Sequence, residues 1–510
     1  MAVLETLGEL RWLVLGGLVV AYLARTLYAY NRLRHFKGPW GVGISEFSHT
    51  RRILTMTAYT WYEEVCAKYG PLARIGPNSL VTANPEVWAH VHTTPGYKKT
   101  DWFYQAARFE YQRDNIFTQT NTEKHDIRRK QIAPGYSGRE NAELEASVDR
   151  HVKTLIDLLR TKYLSTDHRV IPVDLSKKIQ YLTLDIISTI GFGRSFGMLE
   201  ADSDVDGILA ASESGLLLGN TFMAIGLAWL RQAPIIGPVL TAKPEDASGI
   251  GRMVGLCYRW ADERWAVRAT DKRLDMLGSF IKHGLSREDL RSELIEQIIA
   301  GSDTTASALR GILLYLMTNP RVYLKLRAEI DAAVADGRAP VSTQGVVSSA
   351  AVKQLPYMQV VIREAMRVWP PVVNLFPHDV PPGGDRITVD GTTYFVPGGT
   401  EIGTSMQGMM HDAAVFGEDA KAFRPERWFE ADKDRLARMT RTADLVFGHG
   451  RWSCLGKPIA QLELGKTIFE LLRHFDLAPI NPTSPWQLKS PLGLFLVEKQ
   501  FVQVTAREVK

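Results

Sequence analysis

Residues 290–318 constrain this chain more than any other stretch. Apolar side chains recur at Leu294, Ile298, Leu309, Ile312 and Leu316 until Asn319-Pro320 stops the pattern. The run is about eight turns long, and at ~1.5 Å per residue a helix of that length crosses a whole domain. Other elements must pack around it. Helical periodicity also marks 144–163, where Val148, Val152, Leu155, Ile156 and Leu159 share a face. Further helices are expected from Tyr357 to Trp369, ended by Pro370-Pro371, and from Leu455 to Phe475. Strand signals are few. Residues 386–396 read as a hairpin turning at Asp390-Gly391. Arg74-Ile75 and Leu80-Val81-Thr82 flank Gly76-Pro77-Asn78 as another, and 494–504 reads as a last strand pair. The expected fold is mainly α with small peripheral β-sheets, in one large domain over 38–510.

The N-terminus differs in kind. Trp12 to Ala24 is an unbroken apolar run, and continued to Tyr30 it approaches the ~20 residues that span a bilayer. A signal peptide or a core helix fits so short an apolar centre as well. Two features favour a transmembrane anchor over 12–30 within residues 1–37. No small-residue cleavage site follows the run. Arg25, Arg32, Arg34 and Lys37 flank it downstream, against Glu5, Glu9 and Arg11 upstream, which keeps the C-terminal bulk cytosolic. Gly38-Pro39-Trp40-Gly41 then reads as a stiff turn.

The net charge of +5 over 510 residues is too small to point to nucleic acid. Cys66, Cys257 and Cys454 are the only cysteines, too few and too far apart for a disulfide framework. A zinc site is not expected either, since no CxxC or HxxxH cluster accompanies them.

Three constellations carry chemistry. In Phe447–Pro458 (FGHGRWSCLGKP), Gly448, Gly450 and Gly456 bracket Cys454. Glycines let backbone pass close under a flat ring and adopt positive φ. A helix starting just after Cys454 would stabilise its thiolate, and His449, Arg451 and Lys457 add positive charge. A buried structural cysteine in a turn is the plainer alternative, and the glycines and basic neighbours weigh against it. The second constellation, Ala300-Gly301-Ser302-Asp303-Thr304-Thr305, weakens the long helix at its middle. Small residues at 300 and 301 leave room for a bulky flat partner. Asp303 with Thr304 makes a proton relay, the alternative being a simple kink. The third, Glu364 and Arg367, puts a carboxylate and a guanidinium on one face of an apolar helix, with Arg427 in FRPERW as a third member.

Taken together and in this order, these stretches resemble the cytochrome P-450 family of heme-thiolate monooxygenases over essentially the whole chain. The form resembles membrane-anchored microsomal fungal members of secondary metabolism. The resemblance implies the cytochrome P-450 fold and heme b with Cys454 as axial thiolate and iron ligand. It implies that Phe447 packs by the sulfur, with Gly448, Gly450 and Gly456 as loop glycines. It places Ala300 and Gly301 in the groove over the heme and makes Asp303 and Thr304 the proton-delivering pair. Glu364, Arg367 and Arg427 become a structural ion network. His125 and Arg129 match residues that reach a heme propionate. Two departures stand out: Trp452 replaces the usual arginine, and His378 lies where arginine is frequent. Propionate binding is therefore expected to be shared among His125, Arg129, His378 and Arg451.

The family's recognition segments place Trp102, Phe103, Phe109, Phe117, Gln297, Ala300, Val372, Val373, Asn374, Leu375, Leu494 and Phe495 in the substrate pocket. Several of these aromatics are equally at home in a core. The implied activity inserts oxygen from O2 into a lipophilic small molecule, of terpenoid, polyketide or indole-derived type. Electrons would come from NADPH through cytochrome P-450 reductase, with cytochrome b5 as a further donor, at the endoplasmic reticulum membrane. Arg128, Lys130, Arg424 and Lys457 are candidates for a basic docking face. The rivals are a heme-thiolate isomerase, dehydratase or peroxygenase needing no external electrons, and a non-catalytic heme sensor. The intact Asp303-Thr304 pair weighs against both.

Overall fold

The computed structural model describes residues 2–273 and 275–507, with side chains from Leu13 onward. The side chains of Trp12, Glu5, Glu9 and Arg11 lie outside the described residues. The described chain is mainly helical with small sheets, and it gathers into two compact units. One comprises Met1–Thr100 with Leu375–Met409, the other Asp101–Asn374 with Met410–Lys510.

The first unit opens with the helix Ala2–Arg32. Its segment Leu13–Arg32 is long and apolar enough to cross a membrane, and none of it is buried. Just beyond, Arg74 is buried and donates to the carbonyls of Ala29 (2.9 Å), Tyr30 (3.1 Å), Gly43 (3.2 Å), Gly76 (3.0 Å) and Pro77 (2.7 Å). One cation thus ties the helix end to the sheet. That sheet runs Ala73–Arg74, Ser79–Thr82, Glu401–Thr404, His378–Asp379, Lys98–Lys99. The hairpin Asp385–Val389 with Thr392–Val396 turns at Asp390 and Gly391, both at positive φ (50° and 76°), as an Asp-Gly turn requires.

In the second unit the long helix runs Arg287–Thr318. Ser286 caps it by accepting from the Asp289 amide, Glu288 and Asp289 suit its positive end, and Pro320 opens the next helix. It packs against Leu175–Phe192, Gly249–Ala266, Pro356–Val368 and Lys457–His474. Two glycines let neighbours come close: a Cβ on Gly301 would stand 2.7 Å from Ile187, and one on Gly311 2.5 Å from Trp369. The helix at Leu144–Lys162 follows the predicted bounds within a residue. The expected strand pair in 494–504 is corrected. Leu496–Glu498 and Phe501–Ala506 both form, but in different sheets, the first pairing with Gln487–Lys489 and the second with Phe475–Pro479. A period-2 pattern reveals strands but not their partners.

Candidate active site

The cysteine loop is built by two short 3₁₀ turns, Leu445–Phe447 and Gly450–Trp452, leading into the helix Lys457–His474. The Cys454 amide donates to the Phe447 carbonyl at 2.7 Å and closes the loop. Gly448 holds φ 71°, and a Cβ there would crowd the Trp452 carbonyl at 3.0 Å. Cys454 is solvent-accessible. Burial raises its thiol pKa, while the amides of Gly456 and Lys457 and the charges of Arg129 and Lys457 pull it down. Two helix-start donors and two cations around one sulfur suit a thiolate. Lys457 also lies over the Phe447 ring (5.2 Å).

The helix Thr122–Tyr136 brings the other cations to this loop. Arg129 donates to the Ser453 carbonyl (2.8 Å) and hydroxyl (2.9 Å). Asp126 lies between His125 (3.1 Å) and Arg451 (3.2 Å). His125, Arg129 and Arg451 therefore converge beside Cys454. Arg451 is the exposed member, at 44% for its side chain. His378 belongs to the first unit, where it is buried against His92 (5.1 Å) and Trp88 (5.7 Å).

On the long helix, Ala300 is exposed and Thr304 half-buried, although their neighbours at 302, 303 and 305 are buried. A narrow accessible face thus opens in the middle of a core helix, and Cys454 offers a thiolate with donors around it. The donor set and this face fit a flat thiolate-ligated cofactor. Gly301 is half-buried beside Ala300, and a Cβ there would meet Ile187, so its lack of a side chain also serves helix packing.

Thr304 donates to the Ala300 carbonyl at 2.8 Å. Asp303 turns the other way and is 2% exposed. It accepts from Gln180 Nε2 at 2.6 Å and Ser212 Oγ at 3.2 Å. Arg310 donates to Gln180 Oε1 at 2.8 Å, completing a buried chain Arg310–Gln180–Asp303–Ser212. Burial pushes the Asp303 carboxyl up to about 6, against the pull of Arg310. Arg310 lies seven residues beyond Asp303, on the same helical face, so the sequence held a signal for it that went unread. Gln180 and Ser212 come from other helices and left none.

Glu364 is the hub of the third constellation. It accepts from Arg367 Nε (2.9 Å) and Nη2 (2.8 Å), Arg427 Nε (2.8 Å), Trp428 Nε1 (3.0 Å) and the Arg424 amide (3.0 Å). The two arginines spend further donors on the carbonyls of Met410, Ala420, Phe416 and Asp419. The knot closes the Pro356–Val368 helix onto the 410–428 segment.

The expected pocket residues divide. Helix Asp101–Ala106 carries Trp102 and Phe103, and Phe109 follows it. Phe117 packs on Tyr104 (5.3 Å). Val372 bridges Leu494, and Val373 donates to the Gly493 carbonyl (2.7 Å). Asn374 donates its amide to the Leu492 carbonyl. Leu375 belongs to the first unit, where its carbonyl accepts from the Thr404 amide (2.7 Å). Two expectations are corrected. The Gln297 amide donates to Tyr136 Oη (3.4 Å) and Met276 Sδ (3.6 Å), so it packs between helices. Phe495 is fully buried and stacked on Trp369 at 4.1 Å, so it belongs to the core. The proposed docking face also changes. Arg128 is buried and paired with Asp289 and Glu293 (3.4 Å), Arg424 pairs with Asp419 (2.6 Å) and Glu430, and Lys457 with Asp444 (3.4 Å). Lys130 is exposed.

A thiolate loop set under a mostly helical body is the signature of a heme-dependent oxidoreductase. The chain belongs to the cytochrome P450 family, whose model matches residues 48–505. It is similar to cytochrome P450 monooxygenase ABA1 of Pyricularia oryzae, 37% identical with 96% of each chain covered. It is 38% identical to cytochrome P450 monooxygenase aba1 of Botryotinia fuckeliana, over 86% of this chain and 85% of that one. Pisatin demethylase of Fusarium vanettenii is 30% identical, over 95% and 92%. The chain is thus a P450 monooxygenase, and its family implies a heme-thiolate cofactor, a redox partner and a lipophilic substrate with O2.

Proposed function

We propose that the protein inserts one oxygen atom of O2 into a lipophilic small molecule of secondary metabolism, on a terpenoid, polyketide or indole-derived scaffold. Electrons come from NADPH through cytochrome P450 reductase, with cytochrome b5 as a further donor. A single span at 12–30 holds the catalytic domain, residues 38–510, on the cytosolic side of the endoplasmic reticulum.

Cys454 would hold the heme iron, and Arg129, His125 and Arg451 would hold its propionates. When bound, the thiolate-ligated heme supplies dioxygen activation and insertion into a C–H bond. The protein supplies protons and position. Asp303 carries the argument: a buried carboxyl with a pKa raised to about 6 gives and takes protons near neutrality. Arg310, Gln180 and Ser212 keep it in place. Thr304, the next residue along the helix, stands on the accessible face while Asp303 turns away from it, and its hydroxyl keeps lone pairs to accept a hydrogen bond while donating to the Ala300 carbonyl. A heme isomerase, peroxygenase or sensor has no use for such a relay.

The test is turnover under ¹⁸O2 with NADPH and reductase. The product is expected to gain one labelled oxygen, with no turnover when either electron source is omitted. Turnover without NADPH, or an unlabelled product, would sink the proposal.

A further inference from the structure

Seven arginines of the described chain are buried: Arg74, Arg128, Arg231, Arg264, Arg310, Arg367 and Arg427. Six have close partners. Arg74 spends its donors on five carbonyls, and Arg310 bonds Ser176 and Gln180. Arg128, Arg264, Arg367 and Arg427 each pair with carboxylates. Arg231 is different. It is 3% exposed, yet its one side-chain hydrogen bond among the described residues is a long one, 3.4 Å from Nη1 to the Ala106 carbonyl. Its Nε has no acceptor among the described residues. Its guanidinium rests over the Phe222 ring at 5.6 Å. Burial lowers its pKa, and no carboxylate acts on it. A buried cation without a counterion is costly, and five guanidinium N–H groups call for acceptors.

Its surroundings say which acceptor. Ala106 ends the helix that carries Trp102 and Phe103, and Phe222 lies on the helix Ile208–Ala224. Gly219, one turn before Phe222, brings these elements together. A Cβ there would stand 2.9 Å from the Ala106 carbonyl and 3.3 Å from Leu492. Asn220 and Asn374 both bond the Leu492 backbone, which holds 491–493 at the same seam. Phe109 closes on Gly215 of the same helix. Arg231 is therefore a buried, under-bonded cation at a junction of elements that carry aromatic and aliphatic side chains expected to contact substrate.

We propose that Arg231 is the anion anchor of the substrate site, and that the substrate is a lipophilic carboxylic acid bound as its carboxylate. This rests on the monooxygenase reading above and narrows its substrate class. A carboxylate matches the guanidinium fork in two parallel hydrogen bonds. The apolar walls take up the scaffold, and the fixed acid end decides which carbon is presented for oxidation.

The test uses the full-length holoenzyme and binding alone. A panel of lipophilic acids (decanoic, dodecanoic and tetradecanoic acids and a bicyclic terpenoid acid) is titrated beside the matching methyl esters, by Soret difference spectra and calorimetry. At least one acid is expected to bind about tenfold or more tightly than its ester. Arg231→Met is expected to erase that preference and leave ester affinity unchanged, and Arg231→Lys to keep part of it. No acid preference anywhere in the panel overturns the proposal, as does an Arg231→Met variant that weakens acid and ester alike. Should Arg231→Met fail to fold, the unmutated protein and Arg231→Lys still decide. The oxygen-18 experiment fails independently of this one, since it reads the chemistry and not the anchor.

Discussion

Glu364 and Arg231 are both buried charges of the second unit, and their surroundings are opposite. Glu364 accepts five hydrogen bonds, and the arginines around it spend their remaining donors on fixed carbonyls. Arg231 has one long contact and an aromatic face. A charge that holds structure is saturated by the fold, because an unmet buried ion costs stability. A charge that serves a ligand keeps bonding capacity. Asp303 lies between these extremes. It is bonded well enough to be positioned, yet buried deeply enough that it holds its proton up toward neutrality.

The contrast breaks most easily at the saturated end. Replacing Glu364 by Ala leaves Arg367 buried without its carboxylate and Arg427 with Asp419 alone. The expected loss is ~3–5 kcal/mol, enough to prevent recovery of folded, heme-loaded protein. Near-normal yield and melting temperature would show that the knot is dispensable. At the intermediate site, Asp303→Asn keeps the shape and removes the titrating proton. Oxygenation is expected to slow by ~10²-fold with substrate affinity little changed. Stability supplies a second readout. The carboxyl ionises at 3.8 in the unfolded chain and about 6 in the folded one, so the folded state holds the proton more tightly. Its contribution is fully present below the unfolded value and is lost as pH rises through 6. The stability of the native protein relative to Asp303→Asn is therefore expected to rise as pH falls from about 7 to about 5, and a constant difference would contradict a buried, proton-holding acid. The smallest effect is expected at the open end, where Arg231→Met alters acid binding by about tenfold and folding less than Glu364→Ala does.

How much of this could be read beforehand follows the same division. Helices announced themselves by period, and Arg287–Thr318, Leu144–Lys162 and Pro356–Val368 lie close to where the apolar faces put them. Local motifs were readable where the partners are close in sequence or strongly typed, as with Glu364 and Arg367. What stayed hidden depends on which way a side chain turns. Gln297 occupies the expected helix, but its amide points at a neighbouring helix. Phe495 falls between the Leu494 bridge and the strand Leu496–Glu498, and its ring turns into the core against Trp369. Ser212 and Gln180 reach Asp303 only through tertiary packing. Arg231 gave no signal in the sequence, because burial without a partner has no local sequence mark.

The most direct measurement is the Soret band of the reduced carbon monoxide complex, compared between the native protein and Cys454→Ser. Heme held by the Cys454 thiolate predicts the red-shifted thiolate-type band in the native protein and its loss in the variant. A variant that keeps that band would place the iron ligand elsewhere and contradict the account.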